Sequence, residues 1–153
     1  MCKNLKKLLI FSLLSFLSVL LVCCEYLANQ KPEFCIANPV YKSGEIDGIC
    51  KLGGVFFDFY NKSAYSVQFL EIRMNIYDKN TGKEAFIGTG TIVSEMECNI
   101  ESGEKRKLCI PLDQYMVVCP LKDCIIDQFY ISKIKFSDGR EWHDILGLYS
   151  TSN

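Results

Sequence analysis

The stretch Leu70-Glu71-Ile72-Arg73-Met74-Asn75-Ile76 decides the fold class. Apolar and polar residues alternate strictly. A period of two sends Leu70, Ile72, Met74 and Ile76 to one face of a strand and Glu71, Arg73 and Asn75 to the other. This is the pattern of an antiparallel sheet with one face in the core and one in water. Upstream, Val55, Phe57 and Phe59 repeat the alternation, but Phe56 and Tyr60 make the second face apolar as well. That strand is expected to be central or covered on both sides.

Turn chemistry separates such runs at Asn61-Lys62-Ser63, Asp78-Lys79-Asn80-Thr81-Gly82, Glu101-Ser102-Gly103-Glu104 and Asp138-Gly139. Strands are expected near 46–50, 54–60, 66–77, 85–93, 105–110, 127–136 and 140–145, with a short helical turn within 113–124. The run Ile131 to Phe136, the turn Asp138-Gly139 and then Glu141-Trp142 read as a closing hairpin with Trp142 packed inward. About seven strands predict an all-β chain, an immunoglobulin-like antiparallel β-sandwich after an N-terminal hydrophobic signal helix.

With 153 residues the chain holds one ordinary domain, and 17 basic against 18 acidic side chains remove the electrostatic reason to expect nucleic acid. Lys3, Lys6 and Lys7 precede an apolar run from Leu8 to Val22, the layout of an export signal. The run is shorter than the roughly 20 apolar residues a spanning helix needs. Leu21-Val22-Cys23-Cys24 resembles a bacterial lipobox, which implies lipidation at Cys24, with Cys23 as the fallback. Palmitate-type acyl chains on a new amino terminus would anchor the protein stably where one chain would not. The expected organisation is a lipoprotein-type signal peptide or signal anchor over 1–23, a tether and N-terminal segment over 24–52, and the sandwich over 53–149. Loss of residues 1–23 removes three lysines and no acid, leaving 14 basic and 18 acidic residues, so charge alone would not hold the remainder on anionic lipid.

Besides Cys2, Cys23 and Cys24, six cysteines remain: Cys35, Cys50, Cys98, Cys109, Cys119 and Cys124. In an exported domain an even set reads as disulfide candidates, and six cysteines allow 15 connectivities. Proximity along the chain favours Cys35 with Cys50, Cys98 with Cys109 and Cys119 with Cys124. Zinc would need two closely spaced pairs, and only Cys119 and Cys124 are near enough, so no metal is expected.

Other motifs read as structure. Asp78-Lys79-Asn80-Thr81-Gly82 opens like a calcium loop but has its glycine one position early and Thr89 where a carboxylate is needed. Gly88-Thr89-Gly90-Thr91 lacks the third glycine of a dinucleotide loop. His143 and Asp144 are adjacent on a strand and so point to opposite faces. Without a second histidine or a positioned serine there is no catalytic constellation, and neither an enzyme nor a cofactor is expected. Tyr65, Tyr115, Tyr130 and Tyr149 suit either packing or an aromatic recognition surface. Lys105-Arg106-Lys107 reads as a strand entrance whose charge discourages edge pairing rather than as an anion site.

The segments Gly53-Gly54-Val55-Phe56-Phe57-Asp58-Phe59-Tyr60-Asn61-Lys62-Ser63 and Ile134-Lys135-Phe136-Ser137-Asp138-Gly139-Arg140-Glu141-Trp142 resemble small bacterial exported domains of the FxLYD-like, immunoglobulin-like type, in particular spirochaete lipoproteins. The resemblance covers about residues 53 to 147. It implies the fold and a place in the bacterial cell envelope, facing periplasm or exterior, and brings no catalytic residues. The function expected is that of a non-catalytic, membrane-tethered envelope lipoprotein, a protein-interaction or structural module. Its partners would be the membrane, through the lipid anchor or N-terminal helix, and an envelope or host protein, with no nucleic acid. The alternative is a secreted-type inhibitor or small-ligand-binding module on the same fold. An exposed Met116-Val117-Val118 would favour that alternative.

Overall fold

The computed structural model describes residues 31–46, 48–86, 90–116 and 123–151. The signal and lipidation residues, Cys23 and Cys24 among them, lie outside the described residues, as do Cys119, Val117, Val118, Gly88 and Thr89. The chain divides into two units, and the strands belong to the second, Glu33–Asn153.

It is all-β. The strands are β1 (Phe34–Ser43), β2 (Gly53–Asn61), β3 (Val67–Asp78), β4 (Thr91–Ile100), β5 (Lys105–Pro111), β6 (Cys124–Phe136) and β7 (Glu141–His143). They form two antiparallel sheets, one ordered β1-β2-β5 and the other β4-β3-β6-β7. Among the described residues the remaining regular element is a single turn of 3-10 helix at Asp113–Tyr115, inside the span expected to hold a helical turn.

The deciding stretch behaves as its period demands. Leu70, Ile72, Met74 and Ile76 are all buried, and β3 sits between β4 and β6. Their neighbours Glu71 and Arg73 are only half-buried because they pair with each other at 3.1 Å on the outer face. β2 is central in its sheet, and Val55, Phe57 and Phe59 enter the core. Both sheets contribute to that core. Phe57 of β2 meets Phe129 of β6 at 5.0 Å between ring centroids, and Phe34 of β1 stands edge-on to Trp142 of β7 at 4.9 Å. Trp142 is buried as expected, on the hairpin turned by Asp138-Gly139, where Gly139 takes a φ of 87° that suits glycine.

Several boundaries differ from expectation. The small sheet begins at Phe34, inside the segment read as a tether, because β1 pairs with β2 from Phe34↔Asn61 to Ser43↔Gly53. In place of a strand near 46–50, Ile46 and Cys50 make an isolated bridge outside the ladders. The fourth strand runs over Thr91–Ile100 in place of 85–93, and the sixth starts at Cys124.

No disulfide is formed among the described cysteines. Cys35, Cys50, Cys98, Cys109 and Cys124 are free thiols in this structure. Cys35 pairs across from Tyr60 while Cys50 lies beside Gly54. The span of β2 between Gly54 and Tyr60 is on the order of 20 Å, far beyond what a disulfide bridges. Cys98 is on β4 with its thiol donating to the Val67 carbonyl at 3.6 Å, whereas Cys109 belongs to the other sheet. Neither local pairing is formed.

Candidate interaction surface

The outer face of the small sheet is built from the alternate residues that β1, β2 and β5 do not send to the core. Strand pairing sets Cys35, Tyr60 and Lys105 in one row across the sheet, and Ala37, Asp58 and Lys107 in the next. These six line an open groove of about 430 Å³. Tyr60 forms its aromatic floor, with the ammonium of Lys105 5.0 Å and that of Lys62 6.0 Å from its ring centroid. Such cation–ring contacts hold the lysine stems against the sheet and leave the charge facing water.

Asp58 is the acid of the groove. Its Oδ2 accepts a hydrogen bond from Asn38 Nδ2 at 2.8 Å. Asn38 reaches it because β1 bulges between Ala37 and Val40, with Asn38 at a φ of 55°. The flanking Arg106 also lines the groove and pairs with Glu104 at 2.7 Å. Glu104 also receives the Glu101 N–H, and these bonds hold its carboxyl below the usual carboxylate range. All three residues of the run Lys105-Arg106-Lys107 thus line the groove, and Arg106 is the one paired with Glu104. Since β5 is an edge strand, those lysines also sit where charge discourages a further strand from adding.

A second exposed feature follows β7. Ile145, Leu146 and Leu148 are 79%, 79% and 66% exposed. Their loop is held by Asp144, which is buried and accepts the N–H groups of Leu148 and Tyr149, each at 3.0 Å. Gly147, at a φ of 68°, packs against the ring of Tyr130, where a Cβ would come within 3.1 Å. This is a short apolar loop on a fixed backbone, and its sequence, Ile145-Leu146-Gly147-Leu148, gave no periodic signal to single it out. Met116, by contrast, is buried.

The remaining candidates are structural. His143 is exposed and its Nε2 lies 3.2 Å from Glu141, on the face opposite the buried Asp144, so the two form no dyad. Asp78 turns its carboxylate inward to accept the N–H groups of Asn80 at 2.7 Å and Thr81 at 2.9 Å, as a hairpin turn requires. Among the described residues no three His, Cys, Asp or Glu side chains converge as a metal site would need. The tyrosines each serve a local neighbour: Tyr115 donates to the Val93 carbonyl, Tyr149 packs on Trp142, Tyr65 lies under Arg140 and Tyr130 backs Gly147. Burial pushes the thiols of Cys98 and Cys124 up to about 11, the opposite of the shift that would activate a nucleophile.

The groove was only partly legible in the sequence. Tyr60, Lys105 and Lys107 stood out there, but Cys35, Ala37 and Asn38 join them only through β1, which the proline at position 39 conceals. In comparison with known proteins, no family model, no curated protein and no solved structure matches this chain.

Proposed function

We propose that the protein is a non-catalytic lipoprotein of the bacterial cell envelope whose β-sheet head docks an acidic segment of another protein along the outer face of its small sheet. One observation carries the docking: the open groove joins a tyrosine floor to Lys105, Arg106 and Lys107, with Lys62 over the same tyrosine ring and Asp58 as the acid of its lining. An open, cation-rimmed trough of this kind suits an extended chain with carboxylates better than an enclosed small molecule.

The immunoglobulin-like reading belongs to the same proposal. The orders β1-β2-β5 and β4-β3-β6-β7 follow from an immunoglobulin constant-type sandwich if the fourth strand pairs with the third instead of the fifth. Anchoring rests on the sequence: the positive start, the apolar run and Cys24, with Cys23 in reserve.

Docking is tested with an oligoglutamate peptide and the full chain in detergent, followed by fluorescence anisotropy. Lys105→Glu combined with Lys107→Glu is expected to weaken binding about tenfold and added salt to weaken it further, with Lys79→Glu neutral. Equal binding by all three proteins would end the docking proposal. Anchoring is tested by palmitate labelling in bacteria, which Cys24→Ser should abolish.

The alternative, an inhibitor-type module, is favoured by the rigid loop of Ile145, Leu146 and Leu148, whose exposed side chains on a fixed backbone resemble an insertion loop. Loss of a partner's capture on Leu146→Ser, with the lysine pair intact, would favour it over groove docking.

A further inference from the structure

Two thiols distant in sequence meet on the outer side of Gly54. Cys50 stands in the loop that leads into β2, and Cys109 is in β5, opposite Phe56. A Cβ at Gly54 would lie 3.0 Å from Cys109 Sγ, 3.5 Å from Cys50 Sγ and 2.9 Å from the Ile110 carbonyl oxygen. The two sulfurs thus crowd the space a side chain would occupy, with the Cys50 thiol also donating to the Gly44 carbonyl at 3.9 Å.

The backbone around them is fixed. The Asp113 carboxylate accepts the N–H groups of Lys51 and Leu52, both at 2.8 Å, and of Gly53 at 3.4 Å. The Gly44 N–H donates to the Leu52 carbonyl at 2.9 Å and the Ile46 N–H to the Cys50 carbonyl at 3.0 Å, which closes the loop on itself. Cys109 is held by its ladder with Phe56.

We propose that Cys50 and Cys109 are an oxidisable pair that closes into a disulfide and fastens the loop before β2 to the edge strand β5, a small-molecule or protein disulfide serving as oxidant. One thiolate attacks a sulfur of the oxidant, breaking its S–S bond and releasing one thiol. The other then attacks the mixed disulfide and releases the second. Two electrons pass from the cysteine pair to the oxidant, and the two cysteine protons end on the released thiols. Only the supply of oxidant depends on the envelope reading; the apposition of the sulfurs does not.

Burial, followed by the neighbouring Cys50, pushes the Cys109 thiol up to about 12, and burial raises Cys50 as well. Thiolate is scarce near neutrality, so closure is slow there and accelerates about tenfold per pH unit.

The full chain in detergent is incubated with oxidised glutathione, denatured, alkylated and digested for peptide mapping. The expected result is a Cys50–Cys109 cross-linked peptide as the dominant bridge, a mass lower by about 2 Da, and a melting temperature raised by about 10 °C. The thermal shift should vanish in both Cys50→Ser and Cys109→Ser and persist in Cys35→Ser. A dominant bridge from Cys50 to Cys35 or from Cys109 to Cys98, or alkylation of both Cys50 and Cys109 after oxidation, would overturn the pair. Native protein found in the cytosol would sink the envelope reading yet leave a pair that closes in detergent standing.

Discussion

Asn61 shows how one side chain can organise three chain segments. It is fully buried at the end of β2, and its Nδ2 lies 2.8 Å from the Tyr65 carbonyl, 3.0 Å from that of Ile100 and 3.1 Å from that of Glu101. Its Oδ1 accepts the Ser63 N–H at 3.0 Å, and Ser102 Oγ donates to the Ser63 carbonyl at 2.6 Å. The amide therefore joins the end of β2, the turn into β3 and the turn between β4 and β5. Truncation would strand buried carbonyls and an N–H that water cannot reach. Asn61→Ala is expected to cost about 2–4 kcal/mol in chemical denaturation, against less than about 0.5 for the exposed neighbour Lys62→Ala. In the sequence this residue reads only as part of a turn, since nothing local shows that two of its partners, Ile100 and Glu101, come from the end of β4 and the turn that follows it.

At the scale of the element, the loop from Gly44 to Gly53 hangs on Asp113. Accepting the Lys51 and Leu52 N–H groups, the two largest causes, holds the Asp113 carboxyl below its ordinary range. A carboxyl whose folded pKa lies below its unfolded one stabilises the fold above the unfolded pKa and loses that contribution as pH falls through the folded value. The clamp is thus intact at neutral pH and released on acidification. Protection of the Lys51 and Leu52 amides, measured relative to exposed amides at the same pH, should fall as pH is lowered from about 5 to about 2, and Asp113→Asn should remove that pH dependence. Persistent protection at the acid end would show that the loop is held by other bonds. Legibility of the elements follows the same physics. β3 is plain because each inward residue is large and apolar and each outward one polar. β1 is hidden because Asn38 and Pro39 sit at its bulge, where the register shifts and the alternation breaks, and proline is tolerated there because β1 is an edge strand. β4 is displaced because Ser94 interrupts its inward row of Ile92, Met96, Cys98 and Ile100, and the two middle apolar members, Met96 and Cys98, are only half-buried.

For the whole molecule, the consequence of β1 is that the folded head starts where the sequence suggested a tether. Phe34 stacks on Phe59 at 5.8 Å and meets Trp142 edge-on, so the first strand of the small sheet covers the last strand of the large one. A chain beginning at Glu33 keeps both contacts and should unfold in one cooperative transition, within about 0.5 kcal/mol of the longer chain. A chain beginning at Gly44 loses Phe34 and Tyr41, both buried, and leaves β2 without a neighbour on one side. Deleting one buried Phe side chain costs about 3–5 kcal/mol, and small domains hold only about 5–15 in total. The shorter chain is therefore expected to lose its cooperative transition. The sole tryptophan, Trp142, reports the difference, because its emission should sit at the wavelength of a buried indole in the first chain and of a solvated one in the second. If the chain from Gly44 unfolded as cooperatively as the chain from Glu33, β1 would be an accessory to the sheet, and the groove on its outer face would rest on β2 and β5 alone.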